Sequence, residues 1–417
     1  MSKTYIVPGR RTPFVKAGKE YASLNAIEIS KPVIEHMVKS ATPDFFAWGQ
    51  VIPSPSISNL GRELWLEAGL DPAVPAFSTQ LACSTSMLAT IQASSMLGKG
   101  GNHLALVGGV ESMSHVPIAL KEDVAQKLAF LFQANPAAAL EAFQSLQPTD
   151  VDLPVKGWAN RISGRSMGEH SEDMAQHFDI AREDQDKIAL NSHNHATTAQ
   201  SVGFFDDLIL PFNGVEADTI PRADSSLEKL ASLKPVFDRG PNGTLTAGNS
   251  SPLTDGAAGL WVADEQGLKD LDASQAVELV DWQIEAMDYR NEEGILMAPA
   301  RAIPKLLARH GLRFKDVALF EIHEAFAAQL LANVKAVTDS NYRRDKAGVD
   351  FDLGDFPWDR LNPNGGSLAI GHPFGATGAR ILSQTAKELS AYSSGSYALV
   401  SICADGGQGT VVLLRKP

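Results

Sequence analysis

Two segments, one in each half of the chain, faintly echo one another: Leu104-Ala-Leu-Val-Gly-Gly-Val-Glu-Ser and Ala398-Leu-Val-Ser-Ile-Cys-Ala-Asp-Gly-Gly. Each reads as a buried strand running into a glycine-bearing turn, and such an echo is consistent with a duplicated unit. Around the first, strand-like runs (Thr4 to Val7, Leu104 to Val107) alternate with helix-like stretches (Ala26 to Lys39, Thr85 to Leu97), as expected where helices cover a sheet. Gly108-Gly109 is expected to end its strand. From about Ile118 to Thr219 the pattern changes to long polar helices, including Arg182 to Gln200, interrupted at Pro136, Pro148, Pro154 and Gly157-Trp158. Strand-like, glycine-rich text returns at Gly243 to Val262, and a second α/β lobe runs from about Ala276. The fold class is therefore α/β with an inserted, mostly helical segment. Residues 1–118 form the first lobe, completed by about 252–272; residues 119–251 are the insertion and 273–417 the second lobe.

With 417 residues the chain can bury a large core. No apolar run approaches the roughly 18 to 20 residues of a membrane span. A formal net charge of −13 argues against nucleic acid or an anionic membrane as the main partner. The start, Met-Ser-Lys-Thr-Tyr-Ile-Val, moves directly into a strand and leaves no room for a signal or transit segment, which places the chain in the cytoplasm. Two cysteines without a CxxC are too few for a disulfide framework or a zinc cage, so no metal is expected.

Cys83 sits in Thr79-Gln-Leu-Ala-Cys-Ser-Thr-Ser, where a strand ends just before a helix. Ser84, Thr85 and Ser86 are natural N-cap residues, and the helix dipole would favour a thiolate there. His372 lies in Asn362-Pro-Asn-Gly-Gly-Ser-Leu-Ala-Ile-Gly-His-Pro-Phe-Gly-Ala-Thr-Gly-Ala-Arg, whose glycines allow close backbone approach. Pro373 excludes helix at His372, and an imidazole held in so tight a loop suits general-base work. Cys403 stands at the end of another apolar strand, so the two thiols are expected at equivalent strand ends of the two lobes. A nucleophilic thiolate and a second thiol acid are what acyl transfer to and from a thiol ester needs. Taken alone, either cysteine is better read as a small buried filler. His323-Glu-Ala-Phe-Ala follows a strand and should open a helix; Ala327 stands where a HExxH zinc motif needs histidine. His193 and His195, two apart on a helix, face different ways and do not share a metal.

Together these segments resemble the thiolase family. The likeness rests on Arg11-Thr-Pro-Phe, the Cys83 loop, Gly108-Gly-Val-Glu-Ser-Met-Ser, Gly243-Thr-Leu-Thr-Ala-Gly-Asn-Ser-Ser, His323-Glu-Ala-Phe, Gly371-His-Pro-Phe-Gly-Ala-Thr-Gly and the Cys403 loop, in that order. It implies duplicated αβαβα layers. It implies that Cys83 is acylated with His372 activating it, that Cys403 is the acid and base at the α-carbon or at CoA sulfur, and that His323 serves an oxyanion hole. A second oxyanion hole would use the backbone N–H groups of Cys83 and Asp405. Contacts to CoA fall on Met167, Ala247, Ser251, Ala325 and Phe326. CoA is thereby a co-substrate, with no tightly bound cofactor.

Three departures stand out. Asp405 replaces a glycine common in the family, Thr85-Ser86 replaces a frequent Ser-Gly pair, and Ser166 stands where some members have histidine. His323 in place of the usual asparagine, with Val116-Pro-Ile and the long insertion, looks more like the β subunit of the trifunctional fatty-acid oxidation complex. The implied activity is thiolysis of 3-ketoacyl-CoA to acetyl-CoA and a shortened acyl-CoA in fatty-acid β-oxidation. A short-chain acetyl-CoA acetyltransferase running the Claisen direction and a non-catalytic acyl-CoA or lipid carrier are the alternatives. The implied partners are 3-ketoacyl-CoA, CoA, and a second or further copies of the chain as homodimer or tetramer. An α subunit is a further candidate partner, because Leu120, Val124, Leu128 and Leu131, with Phe130 and Phe132, and then Leu140, Phe143 and Leu146, write a helical hairpin richer in apolar surface than one contact would cover. Packing of both its faces on the body is the simpler alternative.

Overall fold

The protein is described by a computed structural model covering residues 3–152, 159–290 and 293–417. The expected interruptions at Pro154 and Gly157-Trp158 lie outside these residues. Twelve strands are present among the described residues: β1 Thr4–Val7, β2 Val15–Lys16, β3 Phe45–Gly49, β4 Ala76–Thr79, β5 Leu104–Glu111, β6 Ala119–Leu120, β7 Val151–Asp152, β8 Thr254–Asp264, β9 Val277–Ala286, β10 Val317–Ile322, β11 Tyr397–Ala404 and β12 Gln408–Arg415. Every residue of β5 and β8 is buried, which explains why they read as continuous apolar text: both faces are covered.

The main sheet runs β10-β11-β12-β9-β1-β8-β5-β3-β4, with β2 beside β8. Its two halves repeat one pattern. In the first, β5 has a parallel neighbour in β3 and an antiparallel one in β8, which in turn pairs antiparallel with β1. In the second, β11 stands between parallel β10 and antiparallel β12, which pairs antiparallel with β9. The two echoing segments, β5 and β11, are thus topological equivalents, and β1 against β9 joins the halves.

Both halves turn one face toward the same pair of helices, Thr85–Met96 and Thr377–Ser390, whose Met87, Ala89, Ile91, Ile381 and Leu382 share a core with Phe45, Val107, Val400 and Val412. The outer faces are covered by helices Ala26–Met37 and Leu60–Glu67 on one half and by Ala298–Arg309 and Ala327–Thr338 on the other. The layers run helix, sheet, helix pair, sheet, helix. At the helix pair a Cβ on Gly378 would lie 2.3 Å from the Met87 nitrogen, so only glycine permits this approach.

The insertion carries a two-stranded β6–β7 base and helices Glu122–Ala134, Pro136–Gln144, Met167–His177 and the long Arg182–Ser201. Asn135 ends the first helix and caps the second, its Oδ1 accepting from Ala138 N–H. Of the hairpin's apolar side chains, Leu128 and Ala139 are buried, while Phe130 (69%), Phe132 (46%), Leu140 (58%) and Phe143 (54%) are exposed. The Arg11-Thr-Pro-Phe motif is structural: Arg11 forks onto Asp218 at 2.5 and 2.6 Å, and Phe14 N–H reaches the same carboxylate.

The structure corrects several local expectations. Gly108-Gly109 does not end its strand, which continues to Glu111; the glycines are there because a Cβ would lie 2.3 Å from Ala258 O and 2.1 Å from Gly375 O. The strand expected from Gly243 begins only at Thr254, because Thr244–Asn249 is tied into a loop by Glu172 and Asn249. The helix after His323 starts at Ala327. Cys83 follows β4 whereas Cys403 lies in β11, the counterpart of β5, so the cysteines do not occupy equivalent strand ends.

Candidate active site

After β4 the chain turns through Gln80–Ser84 into helix Thr85–Met96, and Ala82 takes φ +41, a left-handed conformation that costs a residue with a Cβ about 1 to 2 kcal/mol. Thr85 holds the turn: its Oγ1 accepts from Leu81 N–H at 2.8 Å and donates to Ala82 O at 2.7 Å. Ser84, Thr85 and Ser86 therefore do not cap the helix with their side chains. Ser84 Oγ donates to Ile402 O and Ser86 Oγ accepts from Ala379 N–H, linking the turn to the second half.

His372 comes from the loop preceding the other central helix. Its N–H donates to Thr254 Oγ1 at 3.0 Å, and its Nδ1 lies 2.7 Å from Thr377 Oγ1, whose hydroxyl hydrogen is directed at Pro373 O. Nδ1 therefore carries the proton, leaving the Nε2 lone pair 3.2 Å from Cys83 Sγ. Cys83 and His372 thus sit just before the first turns of the paired central helices, one from each half.

His323 packs beside this pair, its ring tilted by 53° with its centroid 4.2 Å from that of His372. Ser367 Oγ accepts from the Arg380 guanidinium at 2.7 Å, so its hydroxyl hydrogen is left for His323 Nδ1 at 2.9 Å. The proton of His323 then sits on Nε2, which is buried and has no hydrogen-bond partner. A buried donor without an acceptor is costly unless something arrives to accept from it.

The field of the site favours neutral groups. Burial, then the Arg380 charge, lowers His372 to about 3; burial, His372 and Arg380 hold His323 well below the usual imidazole value. Burial, then the Asp405 carboxylate, raises Cys83 to about 12, partly offset by backbone N–H groups of Cys83 and Asp405 directed at the sulfur. The expected thiolate at a helix start is therefore overruled by desolvation. Cys403, 1% exposed, is raised well above the ordinary thiol range by burial and by Cys83 beside it.

Buried carboxylates brace the loops. Glu111 accepts from Val51, Ile52 and Gly375 N–H. Glu324 accepts from Ser192, Asn362 and Leu368, and fills the space that a Cβ on Gly366 would need. Ser367, Thr377 and Arg380 were missed as functional residues from sequence; all lie in the glycine-rich His372 segment, where only proximity to the histidine could have flagged them. Among the expected CoA contacts, Ser251 N–H donates to Ala325 O and Ser250 bridges Phe326, while Met167 and Phe326 flank one core. Ala247 is exposed on the neighbouring loop. Ser166 is engaged in a capping box with Glu169. His193 and His195 hold separate partners, Arg222 N–H and Asn362 O. The sulfur of Cys83 and one nitrogen each of His323 and His372 lie within 4.8 Å of one another, a spacing that a soft divalent ion could bridge. A protonated Nε2 on His323 and the Arg380 charge nearby suit proton handling better.

A neutral thiol against an imidazole lone pair, with an idle donor beside it, is a site for thioester chemistry, and the sequence comparisons agree. Residues 4–266 match the family described as Thiolase, N-terminal domain, and residues 274–416 match Thiolase, C-terminal domain. The chain belongs to the thiolase family. A 3-ketoacyl-CoA thiolase of Yersinia enterocolitica is 35% identical over 98% of this chain and 96% of its own length. Among solved structures, the acetyl-CoA acetyltransferase of Bacillus anthracis superposes with a TM-score of 0.82 at 30% identity, covering 100% of this chain and 99% of its own. Human mitochondrial 3-ketoacyl-CoA thiolase gives 0.81 at 26%, with the same coverage. In this thiolase no helix among the described residues is long and apolar enough to cross a membrane.

Proposed function

We propose that the protein is a 3-ketoacyl-CoA thiolase of fatty-acid β-oxidation. The observation that carries this reading is the 3.2 Å contact between Cys83 Sγ and the unprotonated Nε2 of His372. As the sulfur attacks C3 of the substrate, His372 takes its proton. The C2–C3 bond then breaks, and Cys403 protonates C2, releasing acetyl-CoA and leaving the shortened acyl group on Cys83. A second CoA gives its thiol proton to Cys403, and its sulfur takes the acyl group from Cys83, which leaves as thiolate and recovers its proton from His372. Charge developing on the substrate's thioester oxygen is met by His323 Nε2–H, and charge on the oxygen at C3 by the N–H groups of Cys83 and Asp405. Because both partners start neutral, charge appears only in the transition state, where these donors act.

Met167, Ala247, Ser251, Ala325 and Phe326 are assigned to CoA, with residues 119–251 forming the domain that binds it between lobes 1–118 (completed by 252–272) and 273–417. The His-Glu-Ala-Phe motif and the exposed Phe130 and Phe132 support a trifunctional-type subunit, cytoplasmic, homodimeric or tetrameric, that docks an α subunit through the hairpin. A short-chain acetyl-CoA acetyltransferase is the second reading, favoured by the Bacillus anthracis relative. The same atoms serve it in reverse.

The test is Cys83→Ser. Thiolysis should fall at least about a hundredfold, in line with loss of covalent catalysis. Brief exposure of the wild type to acetoacetyl-CoA should leave acetyl on Cys83, and acetyl found on Cys403 instead would overturn the assignment. Turnover measured over substrates from short to long chains separates the two readings.

A further inference from the structure

The turn after β11 carries a carboxylate whose surroundings the reaction above does not explain. Asp405 Oδ1 accepts from Asn160 Nδ2 at 2.8 Å and from Gly406 N–H at 2.6 Å. Asn160, 8% exposed, comes from the insertion and is fully engaged. Its Oδ1 accepts from Ile162 N–H (2.9 Å), Ser163 N–H (3.1 Å) and Tyr289 Oη–H (2.9 Å), so its amide can face only one way and must donate to Asp405. Tyr289, from the segment after β9, also packs on the turn: a Cβ on Gly407 would lie 2.8 Å from its ring and 2.6 Å from Met287 O. Gly406 and Gly407 take φ +86 and +73, and Gly407 O accepts from Met287 N–H. Three segments distant in sequence thus meet at this turn, with Asn160 bonded to the carboxylate and Tyr289 holding Asn160. Among the described residues no cation pairs with it.

We propose that the Asp405 side chain is a positioning residue of the thiolase reaction: clamped by Asn160, which Tyr289 in turn holds, it keeps in place the turn that aims the Asp405 N–H at the Cys83 sulfur. A turn with two consecutive left-handed glycines has little rigidity of its own. An oxyanion donor displaced by even about 1 Å loses most of its value. The clamp supplies the missing rigidity from outside the turn.

The clamp also leaves a negative charge beside the nucleophile. Cys83 is faced by His372 from the preceding loop of the second helix, His323 after β10, Glu111 at the end of β5, Cys403 on β11 and Asp405 on the turn. After burial, Asp405 is the largest influence holding Cys83 as a thiol, ahead of Glu111, whose charge is spread over three N–H donors. Removing that charge lowers the thiol's proton affinity and raises the thiolate fraction at any pH below it.

The inference rests on the thiolase reading, and two readouts keep them apart. Single-turnover acetylation of Cys83 by acetyl-CoA and steady-state thiolysis are measured for the wild type, Asp405→Ala, Asp405→Asn and Asn160→Ala. Loss of the clamp in Asp405→Ala and Asn160→Ala should slow acetylation about 10- to 100-fold with KM within about threefold. Asp405→Asn, whose amide oxygen can still accept from Asn160 and Gly406, should recover most of that loss. Alkylation of Cys83 by iodoacetamide at fixed pH, which needs no catalysis, should be faster in Asp405→Asn, which loses the charge but keeps the clamp, than in the wild type, and no faster in Asn160→Ala, which keeps the charge but loses the aimed N–H. Asp405→Ala with wild-type acetylation, or an Asp405→Asn no better than Asp405→Ala, would overturn the positioning role. A wild type that is never acetylated would sink the thiolase reading instead, leaving the alkylation series to judge the Asp405 charge.

Discussion

His323→Ala removes a single N–H that has no other task. Nε2 is buried without a partner in the resting protein, its proton is fixed there by the Arg380–Ser367 relay, and its low proton affinity keeps it a neutral donor. Removing one such donor costs about 2.7 to 4 kcal/mol, a factor of about 10² to 10³ in turnover. Truncation also opens space beside the His372 ring, 4.2 Å away, where water can enter and replace part of the donor. The expected loss is therefore about 2 to 4 kcal/mol, carried almost wholly by kcat because the oxygen bears full charge only in the transition state. His323→Asn, which can again offer an N–H, should recover part of it, and Ser367→Ala should lose part of it by freeing the proton to move to Nδ1. Steady-state thiolysis of acetoacetyl-CoA, with thermal unfolding to confirm folding, checks all three. A large rise in KM at unchanged kcat would mean that His323 only binds substrate, and the oxyanion argument would be wrong.

Gly378→Ala places a Cβ 2.3 Å from the Met87 nitrogen, so the central helices must separate. We expect a loss of at least about 2 kcal/mol in denaturant unfolding and of activity with it, as Cys83 and His372 sit just ahead of these helices. Phe130→Asp with Phe132→Asp, on exposed positions of the hairpin, should abolish co-purification with an α subunit while leaving thiolysis near normal; aggregation or inactivity would assign the hairpin to the core.

Much of this was legible from the chain. β5 and β11 echo because both are fully covered strands with the same neighbours, so selection for the same burial wrote similar text. The glycines around His372 marked a place where backbones meet closely, as Gly366 against Glu324 shows. The errors have a common cause: a glycine reads the same whether it turns the chain or makes room for a neighbour. Gly108-Gly109 is the second kind, and which kind depends on Ala258 and Gly375, far away in sequence. The ionisation of Cys83 was misjudged for a similar reason. Local text shows the helix start, whereas the burial and the Asp405 charge that outweigh it come from the assembled halves. The donor on His323 was invisible too, since it depends on the order in which Arg380 and Ser367 pass on their hydrogen bonds.

Placing the proposed nucleophile ahead of one central helix and its proposed base ahead of the other makes chemistry a property of the junction. A chain in which only one half has closed owns either Cys83 or His372, each ordinary by itself. Released from burial, that thiol would react with any small electrophile at the pace of free cysteine, and the imidazole would titrate near its usual value. Catalysis then comes in one step with completion of the core, so a folding intermediate holds no fraction of the activity. Recovery of turnover during refolding would time the closing of two lobes on each other and nothing earlier.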